Sequence, residues 1–278
     1  MLLVRHGETR SNLERRYHGQ RDSPLTDRGR AQAHAMGRQI GGLPEAKSAK
    51  IVSSPQPRAH RTAEIIREHL SDSAAAVSLD DRLCEVSIGN WEGCSHEEIA
   101  ALAPGTFEGD GRYEWCFCAP RGETYDAFTA RIADWLRETP DDPALIVVTH
   151  GIVARVLRGL YAGLPRLTAL LLPIPQDRIF RLSQGTIAEI VVEVGITIPR
   201  IVKVTPMPDY RLLVEFDDGV RGPLDIRAGR SPSIPQFHDE AAFQQVTIDD
   251  FGAVSWPSGP GLSSEVIYEW LTQSLATK

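Results

Sequence analysis

Four short apolar runs, Leu2 to Val4, Lys50 to Val52, Val77 to Leu79 and Leu145 to Val148, carry no polar alternation, and segments with helical spacing of apolar residues lie between them. A strand with one wet face alternates apolar and polar residues, so unbroken runs of this kind predict strands buried on both faces. The helical segments Asp27 to Ile40, His60 to Leu70, Tyr125 to Arg137 and Val153 to Leu160 supply the covering layers. Strands alternating with helices specify an α/β fold, a mostly parallel sheet with helices on both faces. Thr26 is placed to cap the first long helix and Gly41-Gly42 to end it. A hairpin, Arg178 to Ser183 and Thr186 to Val192 around Gln184-Gly185, closes this unit.

Beyond Val194 to Pro199 the texture changes. Ile201 to Thr205, Tyr210 to Phe216 and Val220 to Ile226 read as strands, the last two joined at the hairpin signal Asp217-Asp218-Gly219. Val246 to Ile248 and Ala253 to Trp256 flank a turn at Asp249 to Gly252, and Ser264 to Leu275 reads as a closing helix capped by Ser263. The expected organisation is therefore an α/β domain over residues 1–193 and a small α+β domain over 199–278.

The chain has 278 residues and a formal net charge of −7. After residue 198 there are 11 acidic against 7 basic residues, so neither part shows the Lys/Arg excess of a nucleic-acid binder. No apolar run approaches the roughly 18 residues of a membrane span, and Met1 leads directly into a strand without a signal-peptide pattern, which predicts a cytoplasmic protein. Only four residues precede Arg5, so either the first strand is unusually short or the start lies upstream. Cys84, Cys94, Cys116 and Cys118 lack metal-ligand spacing and read as free thiols, and His238, the tail's only histidine, reads as a surface residue. No metal and no cofactor is expected.

In an open parallel sheet, ligands bind beyond the carboxyl ends of the strands. Three of those ends carry chemistry here: Arg5-His6-Gly7, Ser53-Ser54-Pro55 with Arg58, and Thr149-His150-Gly151. Guanidinium groups present forked donors that match phosphate oxygens, and the glycine after each histidine lets backbone approach a ligand closely. Two arginines and two histidines at one sheet edge therefore predict a site for a compact dianion.

These residues belong to a longer pattern. Leu3 to Thr9, Asn12, Gly19-Gln20 and Asp22 to Thr26 resemble the opening of the histidine phosphatase superfamily, whose relatives include cofactor-dependent phosphoglycerate mutases. Ser53-Ser54-Pro55 with Arg58 and Thr62-Ala63, then Glu85, Gly89, Trp91 to Gly93, Gly122 to Thr124 and Thr149 to Gly151, resemble its later blocks in the same order, over residues 1 to about 190. The resemblance implies that His6 is a nucleophile forming a phosphohistidine, that Glu85 is the general acid, and that Arg5, Arg58 and His150 hold the transferred phosphoryl group. Asn12, Gln20, Thr26 and Gly151 match positions that contact the phosphate or line its pocket.

The chemistry is physically coherent. A neutral imidazole can attack phosphorus and split one hard displacement into two easier ones, and neighbouring cations keep it neutral. Glu85 is expected to be a partly desolvated carboxyl that protonates the leaving alkoxide. Residues 104–121 carry Glu108, Asp110 and Glu114 with Tyr113, Trp115 and Phe117, against only Arg112 and Arg121. That balance suits an organic phosphate with an apolar or neutral body, and so a phosphatase acting on a small phosphorylated metabolite. Mutase-type transfer and a non-catalytic phosphate-binding role remain the alternatives. Asp209 to Leu212, Phe216 to Gly219, Asp225-Ile226 and Ala253 to Pro257 resemble a small bacterial domain family of unknown function, which suggests an interaction or regulatory module with a homo-oligomer or protein partner.

Overall fold

The computed structural model describes residues 1–70, 76–139, 142–195, 199–227, 240–248, 254–256, 259–262 and 264–276. His238, the expected turn at Asp249 to Gly252 and the expected cap Ser263 lie outside them. The chain divides into two compact units, Met1–Ile196 and Thr197–Lys278.

The first unit runs β1 (Leu2–Arg5), α1 (Arg10–Leu13), α2 (Asp27–Gly41), β2 (Lys50–Ser53), α3 (Pro57–Arg67), β3 (Ser78–Leu79), α4 (His96–Leu102), α5 (Tyr125–Glu138), β4 (Leu145–Thr149), α6 (Gly151–Tyr161), α7 (Arg166–Leu170), β5 (Arg178–Ser183) and β6 (Thr186–Val191). Its sheet has the order β3-β2-β4-β1-β5-β6. The first four of these strands pair in parallel, and the hairpin β5–β6 adds on antiparallel to β1.

Side chains alternate across the sheet as the strand period requires. Leu3 and Val147 face a core with Phe128 and Ile132 of α5 and Val153 and Leu157 of α6. Leu2, Val4, Ile146 and Val148 face the other side, against Met36 and Ile40 of α2 and Ala59, Ala63 and Ile66 of α3. Burial of both faces explains the unalternated runs of β1 and β4, but not that of β3, which lies at the sheet edge with both residues exposed.

Element boundaries shift where capping chemistry decides them. α3 begins at Pro57 rather than His60, because proline at the first helical position has the right φ and lacks only an N–H that would be orphaned there. Arg58 is thereby drawn into the first turn. α6 begins at Gly151 rather than Val153, so His150 is its N-cap residue and the next backbone N–H groups are open at the helix start. α4 was legible but not anticipated: Ser95 and Glu98 form a reciprocal capping box.

Among the described residues the second unit has two three-stranded antiparallel sheets, β7 (Ile201–Met207), β8 (Arg211–Phe216) and β9 (Arg221–Asp225), and β10 (Thr247–Ile248), β11 (Val254–Trp256) and β12 (Gly259–Leu262). Between them lies α8 (Glu240–Phe243), and α9 (Ser264–Ala276) follows. β8 alternates cleanly, burying Leu212, Val214 and Phe216. It starts after Tyr210 because Asp209 and Tyr210, with φ of 61° and 57°, form the hairpin turn. Among the described residues no helix is long and apolar enough to cross a membrane.

Candidate active site

The turn that follows β1 is set by a backbone contact with the start of α2. A Cβ on Gly7 would stand 2.2 Å from the Gly29 carbonyl oxygen, and one on Gly29 would stand 2.0 Å from the Glu8 carbonyl oxygen. Only glycine at both positions permits this approach. His6 is held between β1 and that contact and is 3% exposed. Its Nδ1 lies 2.7 Å from the carbonyl oxygen of Gly7. A carbonyl can only accept, so Nδ1 carries the proton and Nε2 keeps its lone pair. Burial first, then the charges of Arg58 and Arg5, hold the His6 pKa well below the usual imidazole range. The ring is therefore neutral and nucleophilic at Nε2.

Cations and donors gather around it. Arg5 is anchored by a hydrogen bond from its guanidinium to the Ile174 carbonyl. Arg58 donates to the carbonyls of Arg21 and Gly19, each at 2.8 Å, which fixes the guanidinium against the loop before α2. His150 packs edge-on against His6 with ring centroids 5.1 Å apart, and its Nε2 lies 2.8 Å from Ser54 Oγ. Burial, followed by Arg58, pushes the His150 pKa well down, so this ring too is neutral. Arg5 Nε, Arg58 Nε and His150 Nδ1 are buried with no hydrogen-bond partner. Unpaired buried N–H groups are costly, and the two arginine Nε–H groups with the unpartnered Nδ1 of His150 beside them suit a multiply charged oxyanion.

A cavity of about 550 Å³ opens beside His6. Arg5, Asn12, Arg58, Glu85 and Gly151 all line it. Asn12 Oδ1 accepts from Gln176 Nε2 at 3.1 Å and from the Thr9 backbone N–H at 3.2 Å, which leaves its Nδ2 hydrogens for a ligand. Glu85 is half-buried and latched by amides: Oε1 accepts from Val86 at 3.0 Å and Val153 at 3.3 Å, and Oε2 from Ile152 at 3.2 Å. Two of those N–H groups are the open ones at the start of α6, so the carboxyl is oriented by the helix terminus.

Gln20, Thr26 and the fully buried His150 are not among the lining residues. The Gln20 side chain is exposed, and Thr26 caps α2 by accepting from Gly29 N–H while donating to Glu8 Oε1 at 2.7 Å. The lining also includes Trp115, from the segment expected to suit the body of the substrate, and His18, Tyr17 and Arg155, which were not anticipated as site residues. His18 is 9% exposed, and burial, then Arg58 and Arg5, lowers its pKa to about 3.

Residues 1–192 match the family model of the histidine phosphatase superfamily (branch 1). The chain belongs to that superfamily. Residues 201–273 match a family of unknown function, DUF2442. Among curated relatives, "Probable phosphoglycerate mutase GpmB" of Erwinia tasmaniensis is 34% identical over 176 residues, 59% of this chain and 75% of its own length. Glucosyl-3-phosphoglycerate phosphatase of Mycolicibacterium vanbaalenii is 32% identical over 175 residues, with the same shares of 59% and 75%. Of solved structures, a mycobacterial glucosyl-3-phosphoglycerate phosphatase in complex with VO3 superposes with a TM-score of 0.55 at 28% identity, covering 69% of this chain and 96% of that one. Bacillus stearothermophilus YhfR gives a TM-score of 0.55 at 32% identity over 70% of this chain and 96% of its own.

Proposed function

We propose that the chain is a phosphomonoester hydrolase that works through a phosphohistidine on His6 and needs no metal. One observation carries this reading: a neutral His6 whose Nε2 is left free by the Nδ1 bond to Gly7, beside the unpartnered Nε–H groups of Arg5 and Arg58 and the unpartnered Nδ1 of His150.

In the first step Nε2 of His6 bonds to phosphorus, the phosphorus–ester oxygen bond breaks, and Glu85 passes a proton to the departing alkoxide. In the second step water attacks the same phosphorus, Glu85 takes a proton from it, and the N–P bond breaks to release inorganic phosphate and the original imidazole. Arg5, Arg58 and His150 meet the oxygen charge in both steps, the part that a divalent cation plays elsewhere. Asn12 adds a neutral donor to the same group.

Rapid quench with a labelled aryl phosphate is expected to trap one acid-labile phosphoryl group per chain, absent in His6→Ala, with turnover unchanged by chelator. Loss of activity with chelator overturns the metal-free reading. Phosphatase is favoured over mutase because Tyr17 and Trp115 line the cavity and pack on one another with ring centroids 4.2 Å apart, a wall suited to organic alcohols. A coupled assay with 3-phosphoglycerate and 2,3-bisphosphoglycerate separates the two: mutase turnover well above phosphate release reverses the preference.

For residues 199–278 we propose an interaction or regulatory role, since among the described residues every one lining the cavity belongs to the first unit. If a chain ending at residue 195 keeps the oligomeric state, melting temperature and substrate profile of the full chain, that role is lost.

A further inference from the structure

The strand register that ends β1 also brings a neutral side chain to the catalytic turn. β5 runs antiparallel to β1, with Leu2 opposite Arg181, Leu3 opposite Phe180 and Val4 opposite Ile179. Continued past the strand ends, the same register sets Gln176 against Gly7, at the turn that presents His6. The segment before it is stiff. Pro173 and Pro175 restrict the residue in front of each to extended backbone. Its carbonyls are tied down in succession, Leu172 by Arg155 Nε at 2.7 Å, Pro173 by the Arg158 guanidinium and Ile174 by that of Arg5. Just past Gln176, the Asp177 carbonyl accepts the Val192 N–H at 3.0 Å.

The half-buried Gln176 uses both hydrogens of its amide on the site: Nε2 donates to the His6 carbonyl at 3.2 Å and to Asn12 Oδ1 at 3.1 Å. The amide oxygen has no hydrogen to offer either carbonyl, so only this orientation satisfies both. The peptide between His6 and Gly7 is thereby held at its two polar ends, the carbonyl by Gln176 and the N–H by Thr62 Oγ1 at 3.1 Å. The Asn12 amide is oriented by the same nitrogen. Turned over, it would set its NH2 group against the Gln176 NH2 and the Thr9 N–H, donor against donor.

We propose that Gln176 is a positioning residue, one amide that fixes the backbone of the nucleophile and the orientation of Asn12 together. His6 Nε2 and the Asn12 Nδ2 hydrogens are then aimed at the same phosphoryl group. This rests on the phosphohistidine reading and goes beyond it, because Gln176 itself touches neither the phosphoryl group nor the leaving alcohol. Misplacing a reacting group by about 1 Å costs up to about a hundredfold in rate, so an indirect contact of this kind is felt in turnover.

The test uses the full chain, with p-nitrophenyl phosphate hydrolysis, orthovanadate binding by calorimetry and the melting temperature as readouts. Gln176→Met keeps the length of the side chain and removes its donors; Gln176→Glu keeps its shape and replaces the donors with an acceptor. Gln176→Met is expected to lower kcat by about tenfold, the worth of a lost hydrogen bond, with a smaller change in KM. Gln176→Glu is expected to be slower still, since its carboxylate faces two carbonyl oxygens. A residue that only fills space predicts the reverse ranking, with Gln176→Glu near wild type, and that ranking overturns the proposal. Asn12→Ala combined with Gln176→Met is expected to lose less than the product of the two single losses, because part of what Gln176 holds is already gone. Fully multiplicative losses overturn the link through Asn12. Should Gln176→Met melt well below the wild type, Gln176→Glu, of native volume, decides. If the wild type leaves the aryl phosphate untouched, the phosphatase reading has failed. Orthovanadate, which needs no turnover, then tests the positioning alone: both variants are expected to bind it about tenfold more weakly, and wild-type affinity in both overturns the proposal.

Discussion

The imidazole of His6 is bonded through Nδ1 to the carbonyl oxygen of its own neighbour, Gly7, at 2.7 Å. That one bond decides which nitrogen can attack phosphorus. The trapped intermediate is accordingly expected to be the Nε2-linked phosphohistidine alone. Phosphorus and nitrogen NMR of the quenched, digested protein distinguishes the two isomers, and an Nδ1 adduct contradicts the tautomer assigned here.

The Gly7–Gly29 contact makes a stability prediction. Adding a methyl group to Gly7 or Gly29 drives it to 2.2 Å or 2.0 Å from backbone oxygen, which cannot rotate aside as a side chain can. Overpacking of this kind costs about 1–3 kcal/mol or more. Gly29→Ala is expected to lower the urea midpoint with little change in slope and to depress kcat by shifting His6. Gly105, where a Cβ would meet nothing within 4 Å, is the wrong comparison because its φ is +86°; Gly111, with open space and ordinary φ, is the matched control.

Much of this site was legible from strand ends, since β-strands that stop at Arg5, Ser53 and Thr149 must deliver the next residues to one sheet edge. What was missed has identifiable physical causes. Gln20 was expected near the phosphate and His18 was not, yet the structure places His18 in the lining and Gln20 outside it. Residues two apart share a side in extended chain, but Gly19 sits between them with φ of 55° and reverses the alternation. Arg155 was hidden by a helix boundary set two residues late. Once α6 starts at Gly151, the residue four positions on must share its face. Gln176, which donates to the His6 carbonyl at 3.2 Å, lies in an irregular segment with no periodicity to reveal it.

Ser54 is predicted to set the tautomer of His150. Its oxygen already accepts the Gln56 N–H at 3.3 Å, and the other acceptor in reach of its hydroxyl is the Cys84 sulfur at 3.9 Å. A thiol accepts weakly, so the hydroxyl proton goes to His150 Nε2 and the ring presents Nδ1–H to the phosphoryl oxygens. Ser54→Ala is expected to reduce kcat on an aryl phosphate by about ten- to a hundredfold, the cost of about 1–3 kcal/mol for an unpaired buried group. Ser54→Thr, which keeps the hydroxyl, is expected to recover most of it. Equal activity in Ser54→Ala and wild type removes this role.

Acid sensitivity follows from the three buried histidines. His6, His18 and His150 have native pKa values below the ordinary imidazole value, with burial the largest cause for each. A group whose native pKa is depressed binds fewer protons when folded than when unfolded, so its contribution is complete above the unfolded pKa of about 6.5 and is lost as the pH falls below it. Each such histidine adds up to about 1.4 kcal/mol of lost stability per pH unit. Urea unfolding between pH 7 and pH 5 is expected to show a steep decline, and His18→Gln is expected to reduce that slope by about one proton's worth, because its pKa of about 3 keeps it neutral across the whole window. An unchanged slope in His18→Gln means that His18 is protonated in the native state, and with it falls the neutral third imidazole beside the nucleophile.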